Sequence, residues 1–110
     1  MINERTLRLM KPGALLINTG RGGLIDEAAL AHALRGGRLA GAGLDTFAQE
    51  PADPKNPLFQ LDNVICTPHV AAMTDEAMVR MGIAAANNIV GYLRGAAWDR
   101  QSLLNPAVLK

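Results

Sequence analysis

Four side chains stand where their type and spacing could do chemistry: Arg21 within Asn-Thr-Gly-Arg-Gly-Gly, Asp45, Glu50 within Gln-Glu-Pro, and His69 within Cys-Thr-Pro-His-Val. A guanidinium is a planar fork of donors, a carboxylate is an acceptor, and an imidazole titrates near neutrality. Brought together, such groups could bind a polar ligand and exchange a proton with it. Each also has a plainer reading. Arg21 reads as a solvated loop charge, Asp45 as the cap of a turn, Glu50-Pro51 as an ordinary turn, and His69 as a core histidine with both ring nitrogens satisfied. Glycines on either side of Arg21 favour a site, because they let the backbone pass close to a ligand. His32 has no such company and reads as structural, and Cys66 reads as a small buried hydrophobe within a strand.

The elements that must position these residues follow from pattern and punctuation. Asn3 predicts the cap of a short helix over Glu4 to Lys11, stopped by Pro12-Gly13. Ala14 to Asn18 is a short continuous apolar run, which predicts a strand buried on both faces. Asp26 caps a second helix that Gly36-Gly37 ends with a left-handed conformation. Leu39 to Leu44 is a second strand rich in glycine and alanine, and Asn63 to Thr67 is a third. Between them the proline-rich "TFAQEPADPKNPLF" reads as an irregular loop. Thr74 begins a last helix that runs to Gly95, with Met78, Met81, Ala85, Ile89 and Leu93 on one apolar face.

Strands alternating with helices predict βαβ units and a mostly parallel α/β sheet, whose chemistry lies just beyond the carboxyl ends of the strands. Arg21 follows the first strand, Asp45 ends the second with Glu50 in the loop beyond it, and His69 follows the third. All four therefore fall on one sheet edge. Three short strands make a thin sheet with open edges, so a chain with no further strands is expected to associate through an edge or to be marginally stable.

Composition narrows the classes. The 110 residues suit one domain that buries about two-thirds of its unfolded surface. Apolar residues make up 49% and aromatics only 4%, so the core is aliphatic and the chain is neither disordered nor coiled coil. Net charge is +1 without a charge block, which speaks against nucleic acid or an anionic membrane as partner. No apolar run approaches the roughly 18 residues of a membrane span, and the first residues do not read as a signal peptide. A single cysteine excludes an internal disulfide and fits a reducing, cytoplasmic setting. No pair of histidines, cysteines or carboxylates has metal-ligand spacing, so no metal is expected.

"MKPGALLINTGRGGLIDEAAL", "GRLAGAGLDTFAQEP" and "NPLFQLDNVICTPHVAAMT" resemble, in order, three signature stretches of the D-isomer-specific 2-hydroxyacid dehydrogenases. The likeness continues into "LLNPAVL", and the intervals of 29 residues from Arg21 to Glu50 and 19 from Glu50 to His69 suit the family. The resemblance implies the second half of a Rossmann-type parallel-sheet NAD(P)-binding domain over residues 1–95, with a tail over 96–110 returning to a substrate domain. It implies that Arg21 holds the substrate carboxylate and 2-oxygen, that His69 is the general acid/base, and that Glu50 pairs with the imidazole and favours its charged form. Asp45 would bind the nicotinamide carboxamide of NAD or NADP. The backbone of Asn18, Thr19 and Gly20 and the turn after His69, at Ala71 and Ala72, would line the nicotinamide side. The implied substrate is a small 2-hydroxy or 2-keto acid and the implied assembly a homodimer.

Two departures bear on this. Val70-Ala71-Ala72 stands where many relatives have a glycine close behind the histidine, and no Gly-x-Gly-x-x-Gly occurs in the 110 residues. The expectation is thus the C-terminal portion of a longer enzyme, with Met1 an internal methionine. Two alternatives stay open: a truncated, inactive chain that acts as an assembly fragment, and a non-enzymatic relative that senses NAD.

Overall fold

The computed structural model describes residues 1–96, 98–105 and 107, so residues 106, 108 and 109 of the ending "LLNPAVL" lie outside the described residues. Two compact units divide the chain, Met1–Ala71 and Ala72–Lys110.

The first unit runs α1 (Glu4–Leu9), β1 (Ala14–Asn18), a 3-10 turn (Gly22–Leu24), α2 (Glu27–Arg35), β2 (Leu39–Leu44), a second 3-10 turn (Pro57–Gln60) and β3 (Val64–Cys66). The strands form one parallel sheet in the order β1-β2-β3, with Asn18 paired to Leu44 and Leu44 to Cys66. Local chemistry sets the boundaries. Asn3 and Thr6 form a reciprocal cap: the Asn3 side chain accepts from the Thr6 amide at 3.1 Å, and the Thr6 hydroxyl accepts from the Asn3 amide at 2.8 Å. Asp26 Oδ1 accepts from the Ala29 amide at 3.0 Å and so starts α2. Gly37, at φ +68°, ends it in the left-handed region that a side chain disfavours. Arg38 then donates to the carbonyls of Arg8 and Met10, tying the end of α1 to the start of β2.

The core lies on one face of the sheet. Leu7 from α1, Leu30 and Leu34 from α2, Leu16, Leu39 and Leu44 from the strands, and Leu58 from the second 3-10 turn are all buried. The opposite face differs from expectation. Leu16 and Asn18 of β1 are buried, but Leu15 is 68% exposed, Ile17 70% and, on β3, Ile65 74%. The βαβ crossover places α2 on one side only, so the continuous apolar run of β1 is covered on a single face within this unit. Cys66 also departs from the reading of a buried hydrophobe, because it is exposed at the end of β3. The proline-rich loop is irregular as far as Asn56, whose side chain caps the second 3-10 turn by accepting from the Leu58 amide at 3.0 Å.

In the second unit, Thr74 caps α3 (Asp75–Leu93) by accepting from the Ala77 amide at 3.2 Å, and Gly95 at φ +64° follows its end. Met78, Met81, Ile89 and Leu93 share the expected apolar face, and all are exposed. Tyr92 and Trp98 meet edge to face with ring centroids 5.8 Å apart. Asp99 accepts from the Ser102 hydroxyl at 2.6 Å, and that bond holds its carboxyl below the ordinary value. No described helix is long and apolar enough to cross a membrane.

One close approach governs how the loop after β2 seats on the turn after β1. A Cβ placed on Gly22 would lie 1.9 Å from the carbonyl carbon of Phe47, whereas one on Gly23 would meet nothing within 4 Å. Gly22→Ala is expected to destabilise the chain by about 2 kcal/mol or more, because backbone must move to admit the methyl. Gly23→Ala is expected to stay within about 0.5 kcal/mol of the parent. Urea unfolding midpoints of the two variants check this, and equal midpoints would refute the proposed close packing.

Candidate active site

Three loops leave the carboxyl ends of β1, β2 and β3; the first carries Arg21, the second Asp45 and Glu50, and the third His69. Asn18 is buried and organises the first. Its Nδ2 donates to the Arg21 carbonyl at 3.0 Å and to the Thr46 hydroxyl at 3.2 Å, and its Oδ1 accepts from the Gly20 amide at 3.1 Å. This side chain thereby closes the Thr19–Gly20 turn and links it to the second loop. Thr19 and Gly20 are exposed, and so is Arg21, which donates to the Gly20 carbonyl at 2.8 Å.

The second loop begins with Asp45, Thr46 and Phe47, all buried. Phe47 packs edge-on against Phe59 with centroids 5.1 Å apart. Glu27 of α2 holds the loop from below, accepting from the Ala48 amide at 2.6 Å and from Asn56 Nδ2 at 2.7 Å. Glu50 Oε1 accepts from the Phe47 amide at 3.1 Å, and a cis peptide joins Glu50 to Pro51.

The third loop runs Thr67-Pro68-His69-Val70. His69 has φ +57°, a left-handed conformation that costs a non-glycine residue about 1–2 kcal/mol. Its Nδ1 meets Glu50 Oε2 at 2.8 Å. The structure therefore joins two residues that lie 19 apart in sequence. Asp45 gathers the backbone around the histidine: Oδ1 accepts from the Thr67 hydroxyl at 2.5 Å and the Val70 amide at 2.8 Å, and Oδ2 from the Ala71 amide at 2.9 Å. Ala72 is exposed at the start of the second unit.

A cleft of about 560 Å³ opens at this edge, lined among others by Asp45, Phe47, Glu50, Phe59, Cys66 and His69. Arg21 is not part of its lining, but its charge reaches Glu50. The Glu50 carboxyl is held below its ordinary value, first by the hydrogen bond with His69 and next by the Phe47 amide, with the Arg21 charge adding to both. The Asp45 carboxyl is also lowered, chiefly by the Thr67 hydroxyl, against the opposing effect of burial. Partial desolvation beside the cleft pushes the thiol of the exposed Cys66 up. With Nδ1 on a carboxylate, the ring keeps Nε2 for proton exchange with a molecule in the cleft. Among the described residues, no three histidines, cysteines or carboxylates come together as a metal site.

Sequence reasoning did not single out Thr67 or Glu27 as supports of this edge, and it reads Gly22 as leaving room for a ligand where the structure seats the Phe47 backbone. Glu27 and Gly22 act on residues more than twenty positions away, which no local pattern reveals. For Thr67 the available signal was a hydroxyl directly after a strand, opposite a strand-ending aspartate.

Residues 1–71 match the family described as D-isomer specific 2-hydroxyacid dehydrogenase, NAD binding domain. All 110 residues are similar to a glyoxylate reductase of Thermofilum pendens, at 48% identity over 32% of that protein. Among solved structures, the NAD-complexed form of a D-isomer specific 2-hydroxyacid dehydrogenase from Lactobacillus delbrueckii ssp. bulgaricus is similar with a TM-score of 0.81 and 34% identity, over 96% of this chain and 35% of that one. An NADPH-dependent glyoxylate/hydroxypyruvate reductase of Sinorhizobium meliloti, solved with NADP and malonate, gives a TM-score of 0.75 and 39% identity over 84% of this chain and 28% of that one. The chain thus spans about a third of the length of these relatives. Its three-stranded parallel sheet is part of their NAD-binding, Rossmann-like fold, and with a family match over more than half of its length the chain belongs to the D-isomer specific 2-hydroxyacid dehydrogenases.

Proposed function

We propose that this chain supplies the acid–base half of an oxidoreductase that moves a hydride between NAD(P)H and C2 of a small 2-keto or D-2-hydroxy acid. The observation that carries the reading is the His69–Glu50 pair, 2.8 Å apart at the carboxyl edge of a parallel sheet. The chemistry of the donor set supports the cofactor as well. Asp45 Oδ2 accepts one bond from the chain, which leaves a lone pair for a carboxamide N–H. The exposed Thr19–Gly20 turn and Ala71 offer backbone on the same edge. When bound, NAD(P)H supplies the hydride.

The chain's own residues supply the rest. Arg21 holds the substrate carboxylate and 2-oxygen with its fork of donors, which lysine cannot reproduce. His69 gives a proton from Nε2 to the 2-oxygen as C2 is reduced, and takes it back in the reverse direction. Glu50 fixes the ring through Nδ1 and stabilises the imidazolium. The same reading takes a soluble homodimer as the working state, supported by the exposed apolar face of α3 in its unit.

In the complete enzyme, His69→Ala and Arg21→Ala are each expected to lower kcat/KM by about 10²–10⁴-fold, with Arg21→Lys recovering little. Oxidation of NAD(P)H with 2-keto acids, followed by absorbance, checks this, and full turnover by either alanine variant would sink the assignment.

Protonation of Glu50 should appear in stability. Its folded pKa lies below the ordinary 4.5, so the contribution of its contacts is fully present above that pH and is lost as pH falls through the lowered value. The stability difference between parent and Glu50→Gln is thus expected to shrink as pH falls from about 5 toward 2. Urea midpoints across pH 2–7 measure it, and a pH-independent difference would contradict the assigned pairing.

Because no Gly-x-Gly-x-x-Gly occurs in these 110 residues, they offer no glycine turn at a helix N-terminus for a pyrophosphate. By themselves they are expected to bind NADH much more weakly than micromolar. Calorimetric detection of specific micromolar binding would overturn that expectation.

A further inference from the structure

We infer that Asp45 and Thr67 form a latch that holds the His69 turn in its left-handed conformation and so delivers the imidazole to Glu50. The latch is a positioning device for the reaction proposed above, and it rests on that reading for its catalytic consequence.

The observations converge on one carboxylate. His69 has φ +57°, where a non-glycine residue stays only if its surroundings over-determine it. The amides of the next two residues, Val70 and Ala71, both donate to Asp45, one to each oxygen. Two successive N–H groups aimed at one carboxylate fix the chain direction immediately after the histidine. On the other side, the Thr67 hydroxyl donates to Oδ1 at 2.5 Å, and the Thr67 amide donates to the Leu44 carbonyl at 3.0 Å. The turn is therefore gripped two residues before His69 and one and two residues after it, by a side chain on the neighbouring strand end. Asp45 is buried and its own amide donates to the Asn18 carbonyl at 2.9 Å, so the anchor is fixed to the sheet. The lowered pKa of Asp45 is consistent with a carboxylate that keeps all three donors.

This latch is separate from ligand binding by Asp45, since one lone pair of Oδ2 stays free. It also gives Thr67, which touches neither Glu50 nor the His69 ring through any hydrogen bond found among the described residues, a role in setting the histidine. Ring orientation at this site matters because Nδ1 must meet Glu50 while Nε2 serves the substrate, and a misplacement of about 1 Å can cost about 10²-fold in rate.

The test compares the complete enzyme with Thr67→Val, Thr67→Ser and Asp45→Asn in two measurements: amide hydrogen exchange, and steady-state NAD(P)H oxidation with a 2-keto acid. Thr67→Val keeps the shape and removes the donor. In Asp45→Asn one oxygen becomes an NH₂ group that cannot accept from an amide. Thr67→Val is expected to speed exchange at Val70 and Ala71 about tenfold or more while exchange along β1 and β2 stays unchanged. Its kcat is expected to fall by about tenfold or more at an unchanged substrate KM. Serine should restore both to within about threefold. Unchanged exchange at Val70 and Ala71 in both Thr67→Val and Asp45→Asn would overturn the latch. Faster exchange with kcat kept within about twofold would overturn its positioning role. If the parent enzyme itself turns over no 2-keto acid, the functional reading fails instead. The latch is then decided by whether Thr67→Val disrupts the His69–Glu50 hydrogen bond, read from the ring nitrogen shifts with exposed His32 as the internal reference.

Discussion

Two backbone hydrogen bonds carry the parallel ladder one residue past the ends of the strands: the Asp45 amide to the Asn18 carbonyl at 2.9 Å, and the Thr67 amide to the Leu44 carbonyl at 3.0 Å. They bring the first residues of three loops into register at one edge. Parallel strands make this possible, since every strand delivers its carboxyl end to the same side. Without that register, Glu50 and His69 would be unrelated loop residues. With it, the distance between them is set by hydrogen bonds that tie both loops back to the edge.

The edge is polar where most of the sheet is apolar, and burial makes its hydrogen bonds compulsory. Asn18, Asp45 and Thr46 are buried, and an unpaired polar group there would cost about 1–3 kcal/mol. Among the described residues no buried side-chain nitrogen or oxygen lacks a partner. Asn18 reaches Thr46, and Asp45 reaches Thr67, Val70 and Ala71, so each loop is tied to its neighbour by a side chain of the preceding strand end. Packing supports the same end. Gly22 admits the Phe47 backbone, and Phe59 covers the Phe47 ring. Glu27 then fixes the loop on the α2 side.

Much of this was legible in the chain because local rules decide it. The bounds of β1 and β2 follow from apolar runs ended by polar or glycine residues. The starts of α2 and α3 follow from Asp26 and Thr74, whose side chains cap the amides three residues on. The two-sided burial expected of β1 is not found: an apolar run does not say which face a neighbour covers, and Leu15 and Ile17 are exposed on the face opposite α2. Cys66 was misread for a related reason, since a position in a three-residue strand at the sheet margin need not face the core. The support of the site was hidden because Glu27 and Asp45 act across 21 to 29 residues, and the local sequence says nothing of such pairs.

The placement of a histidine at φ +57° shows how the site divides its demands. Glycine would satisfy the backbone there at less cost but would bring no imidazole. A histidine in an extended conformation would be unstrained but would leave the strand axis in another direction. The chain resolves the conflict by keeping the imidazole at the strained residue and assigning the restraint to others. Its neighbours Thr67, Val70 and Ala71 hold the backbone through Asp45, while Glu50 holds the ring. The backbone and the ring of His69 are thereby held by two different carboxylates. A change at Asp45 reaches the turn that carries the imidazole, and a change at Glu50 reaches the ring itself.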